Sequence, residues 1–413
     1  MVTVFGLGFV GLTTALGFAH MGYKVYGIDV DEKRKELLRK GELPFLEPYM
    51  DEVLKENINK NFIVTDDVEE AIRNSEYVFY CVGTPYGNNG AADLTYLFSA
   101  IDTTIEAIKD DKFRVLVTKS TIPPSTTAEK IYPYVKSKGT IANNLGVANN
   151  PEFLREGHCW KDFIEADRIV LGCNDDKSKE MLVKLYEPMK IPIKCVSHST
   201  GEFIKYLSNT LLATLISYSN EMAEVADTIG GIEIAEAFKI LHMDKRWNNC
   251  NMTSYVYPGC GYGGYCLPKD TCALYSQSTE KGFEPKILKN VIEINNDMAK
   301  SIVKKITKEL NTDSTIGILG LSFKPQSDDV RDTPAAKIIR ELNKQGYKNI
   351  KAFDPVAIEE FKVRYPDIDI EYCKSIGDVY NNSDVIAVVT AWDDFKVLKE
   401  CNDKRILDCR YMF

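Results

Sequence analysis

The sequence predicts an α/β protein made of two doubly wound domains joined by one long helix. Three observations predict it. A glycine-rich turn, Gly6-Leu7-Gly8-Phe9-Val10-Gly11, sits between a strand-like run and an apolar helical run. The stretch from Ser199 to Gly230 has no Pro and, after Gly201, no interior Gly. A helix–Gly-Tyr-Lys–strand–Asp pattern occurs twice, as "MGYKVYGID" and again as "QGYKNIKAFD".

Residues 2–5 read as a short buried strand, "GLGFVG" as a turn, the run to about His20 as a helix, and "YKVYGID" as the next strand. The spacing is G-x-G-x-x-G, the turn of a Rossmann-like sheet. Gly6 permits the tight turn, Gly8 lets the backbone approach a pyrophosphate, and Gly11 allows close helix–strand packing. The helix N-terminus offers free N–H groups to the anion. Asp29, ending the next strand, suits a ribose 2′-hydroxyl and repels a 2′-phosphate, which favours NAD over NADP. Arg34, near the adenosine end, pulls the other way. Further strand-like runs at 77–83, 114–120, 145–151 and 168–172 extend this NAD-binding domain over 1–195.

A helical region, 196–300, follows. Ser199 and Glu202 form an S-x-x-E capping box, and Gly230-Gly231 is a stop signal. The roughly 30 residues between them span about 45 Å. A helix that long reads as a spine, and its length suggests packing against a second subunit; two shorter helices with a bend are the alternative. Lys205 and Asn209, at i and i+4, share one face of it. They are either a cation and an amide aimed into one cleft or part of a solvated polar stripe.

The loop "YPGCGYGGYCLPKDTCAL" crowds four glycines and two prolines around Cys266. With Pro268 as the first helical residue, Cys266 stands just before a helix N-terminus, where the dipole favours thiolate. Asp270 is four residues on, and glycines 259, 261, 263 and 264 let the backbone curl around a bulky ligand. A buried structural cysteine is the competing reading, preferred for the other ten cysteines. In "NNPEFLREG", Glu152 and Glu156 are either bases for water or carboxylates placed at a helix start. From about 301 to 413 the second doubly wound domain runs through "STIGILGLSFKP", "DVIAVVTAW" and "RILDC".

Composition narrows the classes. The chain has 413 residues, 44% hydrophobic and 27% charged, with a formal net charge of −9. That is the balance of a soluble globular protein of about two to three domains. No basic excess points to nucleic acid, and no polybasic block or long apolar run points to a membrane. Eleven cysteines without C-x-x-C spacing, and four histidines without H-x-x-x-H spacing, suggest neither a disulfide framework nor a metal site. A reduced cytoplasm is the expected compartment.

Taken together, "GLGFVGL" with "YGID", "GELPFLEPYMDEVL", "VGTP", "KSTIP", "NPEFLREG", "FIKYLSNT", "GYGGYCLPKDT", "LSFKPQSDDVRDTP" and "FDP" resemble the UDP-glucose/GDP-mannose dehydrogenase family over nearly the whole chain. The resemblance implies two Rossmann-like domains linked by a long helix in a dimerisation region. It implies a homodimer and a four-electron oxidation of a sugar C6 alcohol to a carboxylate, with two NAD reduced. UDP-glucose, giving UDP-glucuronate, is the expected substrate. GDP-mannose, UDP-galactose, a UDP-N-acetylhexosamine, or a silent nucleotide-binding scaffold are the alternatives.

By the same resemblance Cys266 is the nucleophile, forming a thiohemiacetal and then a thioester. Lys205 stabilises charge on the C6 oxygen, Asn209 helps hold it, and Asp270 acts through water with Lys205. Glu152 promotes thioester hydrolysis, with Thr121 positioning water. Thr84, Thr121, Glu156 and Arg331 join Gly6, Gly8, Gly11, Asp29 and Arg34 at the cofactor. Phe153, Leu154, Tyr257, Gly263, Lys324 and Arg246 join Glu152, Lys205 and Asn209 around the sugar nucleotide. The chain departs from the family's commonest pattern at Tyr49-Met50, Cys260 and Tyr265.

Overall fold

The computed structural model describes residues 1–85, 87, 91–244, 255–401 and 403–413. Contacts divide the chain into two units, Met1–Ser208 and Asn209–Phe413. Arg246 lies outside the described residues.

The first unit is built on strands β1 (Val2–Phe5), β2 (Val25–Ile28), β3 (Phe62–Val64), β4 (Tyr77–Tyr80), β5 (Arg114–Thr118), β6 (Leu145–Asn149), β7 (Ile169–Cys173) and β8 (Ile193–Val196). Their order is β3-β2-β1-β4-β5-β6-β7-β8. The first six are parallel; β7 runs antiparallel to β6, and β8 parallel to β7. Successive side chains of a strand face opposite sides, and here each side meets its own core. Val2, Val4, Tyr77, Phe79, Val115 and Val117 enter one cluster. Phe5, Val78, Tyr80 and Leu116 enter the other. That two-sided burial is why these strands read as unbroken apolar runs. The helix Phe9–His20 is buried without a break from Gly11 to Ala19, which accounts for its apolar sequence.

The second unit carries β9 (Ile316–Leu319), β10 (Ile350–Phe353), β11 (Glu371–Tyr372), β12 (Val385–Val388) and β13 (Arg405–Asp408). The order β11-β10-β9-β12-β13 is all parallel. It repeats the arrangement around β1 of the first sheet. The likeness extends to the turns. Gly6 (φ 84°) receives its place from Gly6 N–H to Ile28 O, and Leu7 N–H donates to Asp29 Oδ2 at 2.6 Å. Gly320 (φ 97°) bonds to Phe353 O, and Leu321 N–H donates to Asp354 Oδ2 at 2.8 Å.

The long helix is one unbroken element, His198–Ile229, of 32 residues. The alternative of two bent pieces is therefore set aside, and so is the capping box. The Glu202 carboxylate does not turn back to its own helix; its Oε1 accepts from Thr127 N at 2.7 Å and Thr127 Oγ1 at 2.5 Å. Ser199 Oγ accepts from Ser125 Oγ. Ser197 takes the cap instead, accepting from Thr200 N–H at 3.3 Å.

Tyr49, one of the departures from the resembled pattern, has φ +68° and is exposed. A side chain is strained there, and glycine is not.

Candidate active site

The dinucleotide turn has the shape the spacing predicts. A Cβ on Gly11 would sit 1.7 Å from Gly6 O, so no side chain fits. A Cβ at Gly8 meets nothing within 4 Å, and no side chain caps the Phe9–His20 helix. The helix N-terminus is thus open to an anion, and these residues fit NAD. Asp29 is buried and engaged: besides Leu7 N–H it accepts Arg34 Nη1 on both oxygens, at 3.1 and 2.9 Å. Arg34 is therefore directed at Asp29. Thr84 Oγ1 donates to Thr121 O at 2.9 Å, which ties the chain after β4 to the chain after β5.

The first unit gathers a buried charged group where β5 and β6 end. Lys205 Nζ lies 2.7 Å from Glu152 Oε1. Glu152 Oε2 accepts Leu154 N–H at 2.5 Å, so both carboxylate oxygens are held. The Phe153 ring lies beside Lys205 and under Arg168. Glu156 is half-buried in the same segment. Two residues that sequence reasoning missed complete this group. Glu47 is buried and accepts Gly157 N–H at 2.8 Å and Cys159 N–H at 2.7 Å, pinning the end of "NPEFLREG". Lys119 is buried and bonds Asn150 Oδ1 at 2.8 Å. A lysine closing an apolar strand run was the available signal.

The second unit holds Cys266, Lys269, Asp270 and Asn209. Cys266 is the first residue of the helix Cys266–Glu280, not the residue before it, and Pro268 stands two positions inside. The N–H that proline lacks belongs to the first turn, where it has no intrahelical partner. Asp270 is fully buried between two donors: Asn209 Nδ2 at 2.6 Å and Lys269 Nζ. Lys269 was not singled out from the sequence. Burial works against its charge; the Asp270 carboxylate outweighs that, and with Cys266 and Tyr265 it holds the Lys269 pKa above the usual lysine value. Cys266 is half-buried, not in a disulfide, and within this cation's field.

Two glycines of the loop allow close approaches within the chain. Gly263 leaves room for Asp332 O, which a Cβ would approach to 2.6 Å, and Gly264 (φ +79°) lies against the Phe323 ring. Gly264 N–H donates to Arg331 O at 2.9 Å. They seat the loop on residues 323–334 of the same unit. Arg331 forks onto Asp329 and lies over the Tyr265 ring. Lys324 is half-buried beside Phe323, and Tyr257 Oη donates to Tyr411 O at 3.1 Å. Lys205 and Asn209 are one helical turn apart, each with an acidic partner, so the solvated-stripe reading does not hold.

These features can be set beside known proteins. The UDP-glucose/GDP-mannose dehydrogenase family, NAD binding domain, matches residues 1–190. The family's central domain matches 199–297, and its UDP binding domain 317–413. A UDP-glucose 6-dehydrogenase of Rickettsia felis is 38% identical over 405 residues, covering 96% of this chain and 88% of that one. The structure of a UDP-glucose dehydrogenase from Pyrobaculum islandicum superposes with a TM-score of 0.92 at 32% identity, over 99% of this chain and 94% of that one. A UDP-D-ManNAc dehydrogenase from Pyrococcus horikoshii gives 0.85 at 27%, over 99% and 95%. With a glycine turn open to a dinucleotide, a half-buried thiol at a helix N-terminus and family matches in all three segments, this chain belongs to the UDP-glucose/GDP-mannose dehydrogenase family.

Proposed function

We propose that the protein oxidises the C6 hydroxymethyl group of UDP-glucose to the carboxylate of UDP-glucuronate, with NAD as hydride acceptor. One observation carries the reading beyond a simple alcohol dehydrogenase: Cys266 opens a helix beside the Lys269 cation, as a nucleophilic thiol requires. Gly6, Gly8, Gly11 and Asp29 hold the dinucleotide, with Thr84, Thr121, Glu156 and Arg331 completing its site. NAD, when bound, supplies the acceptor for one hydride from C6 in each of two rounds.

Asp270, acting through water with Lys205, takes the O6 proton as base, while Lys205 and Asn209 hold O6 and stabilise the developing negative charge. Cys266 Sγ then adds to the C6 aldehyde and O6 takes a proton, giving a thiohemiacetal. Loss of the second hydride and of that proton leaves a thioester. Water, activated at Glu152 and positioned by Thr121, cleaves the C–S bond; the carboxylate departs and the thiol is restored. Phe153, Leu154, Tyr257, Gly263, Lys324 and Arg246 surround the sugar nucleotide in this reading.

The proposed organisation has three parts: 1–195 for NAD, 196–300 for the spine and the Cys266 loop, and 301–413 for the UDP moiety. A homodimer forms along the spine, where Phe203, Leu207, Leu211, Tyr218, Val225 and Ile229 are exposed. Leu211→Asp with Tyr218→Asp should then halve the mass seen by light scattering; an unchanged mass removes the spine from the interface. Among the described residues no helix is long and apolar enough to cross a membrane, and a cytoplasmic location goes with the reading.

The deciding experiment counts NADH at 340 nm with limiting UDP-glucose, beside GDP-mannose and UDP-N-acetylglucosamine. Two NADH per UDP-glucose, with the others silent, is the expected result. One NADH removes Cys266 from the chemistry. Turnover of another donor alone changes the substrate and keeps the mechanism.

A further inference from the structure

Arg168 stands just before β7 and is half-buried. Among the described residues no ion pair or hydrogen bond engages its guanidinium. Its partner is an aromatic face: the guanidinium carbon lies 4.2 Å from the centre of the Phe153 ring. The face of a ring carries negative charge density and attracts a cation that close. A flat guanidinium also stacks there, which an ammonium cannot do.

Phe153 has use for such a partner. It is half-buried, yet it belongs to none of the apolar clusters found among the described residues. The same ring meets a second cation, Lys205 Nζ, 5.7 Å from its centre. Lys205 is thus held by two successive residues. Glu152 Oε1 takes the ammonium at 2.7 Å, and Glu152 is itself fixed by Leu154 N–H at 2.5 Å. The carboxylate sets how far the ammonium reaches, and the ring sets its direction. A lysine has a flexible stem, so both are needed to aim it. Arg168, Phe153, Glu152 and Lys205 all belong to the unit Met1–Ser208.

We propose that Arg168 is a positioning residue for the oxidation: it fixes the Phe153 ring, and the ring, with Glu152, aims the Lys205 ammonium. The proposal rests on the reading of Lys205 as a group that holds O6. Arg168 acts through Phe153. Without the guanidinium the ring turns, and the ammonium spends less of its time where O6 must be met.

The test is a double-variant cycle on kcat for NADH formation from UDP-glucose, with wild type, Arg168→Met, Phe153→Leu and the two combined. Arg168→Met should lower kcat about tenfold and change KM for UDP-glucose by less than about twofold. Phe153→Leu should lose at least as much, and adding Arg168→Met to it should cost nothing further. Losses that multiply in the combined variant overturn the proposal, and so does a wild-type kcat in Arg168→Met. A second arm needs no substrate. Trace acetylation by acetic anhydride, mapped by mass spectrometry, reads how often a buried ammonium leaves its place. Lys205 and Lys119 are both buried in this unit. In Arg168→Met, labelling should rise about fivefold at Lys205 and stay unchanged at Lys119. No rise at Lys205, or an equal rise at both, overturns the proposal. A wild type silent on UDP-glucose brings down the functional reading instead, while the labelling still decides whether Arg168 holds Lys205.

Discussion

Lys205 Nζ lies 2.7 Å from Glu152 Oε1, and each of the two side chains is 5% exposed. The pair is thus stabilising only as a pair. Lys205→Ala leaves Glu152 charged and buried, and should cost about 3–5 kcal/mol in urea unfolding. Lys205→Met combined with Glu152→Gln should recover most of that stability while activity stays absent. A double variant as unstable as Lys205→Ala would mean that the pair's shape matters and its charge does not.

Asp270 is the countercharge of Lys269. In Asp270→Asn, burial of Lys269 is no longer opposed, and the ammonium loses its proton more readily. Cys266 then loses its neighbouring cation. Alkylation of Cys266 by iodoacetamide at pH 7, followed by mass spectrometry, should slow, and kcat should fall about 100-fold or more. An unchanged alkylation rate would separate Lys269 from the thiol.

Burial lifts the Glu202 carboxyl from 4.5 to about 7, although the Thr127 hydroxyl and N–H pull the other way. The folded state thus binds the proton more tightly than the unfolded chain. The stability this gives is complete below 4.5 and is lost as pH rises through about 7. At about 1.4 kcal/mol per pH unit the loss is about 3 kcal/mol. Melting temperature should fall from pH 5 to 7.5 in wild type, and stay flatter in Glu202→Gln. Parallel curves for the two proteins would rule out Glu202 as the titrating group.

Tyr49 pays no packing dividend for its left-handed backbone, being 69% exposed. Tyr49→Gly should stabilise the protein by about 0.5–1 kcal/mol, read as a rise in the urea midpoint. A fall would show that the ring has a partner in the assembled protein.

The strong signals in the sequence were those in which local chemistry and long-range packing agree. The glycine turn, the strands buried on both faces and the unbroken helix are of this kind. The misses are places where a distant partner decides. β3 (Phe62–Val64) is three residues long, and β8 (Ile193–Val196) is half-exposed at the sheet edge, so neither makes a long apolar run. Ser199 and Glu202 have the spacing of a local cap, yet Glu202 bonds Thr127, 75 residues away. Glu47 shows nothing in its own segment of its bonds to Gly157 and Cys159, more than 100 residues on. Lys269 beside Asp270 is an ordinary dipeptide until burial removes the water from both.

The matching turns at Asp29 and Asp354 have unlike vacancies. Asp354 accepts six bonds: from Leu321 N, Ser322 N, Ser322 Oγ, Trp392 Nε1, Val356 N and Ala357 N. Four of the six come from backbone amides and one from a buried indole, none of which can swing aside; the sixth is the Ser322 hydroxyl. Asp29 is held by Leu7 N, Asp31 N and the part-exposed Arg34, a side chain that can yield to a ribose. The molecule therefore repeats one architecture with two differently held acids. In the second copy the chain itself closes around the acid, and in the first a movable side chain does part of that work.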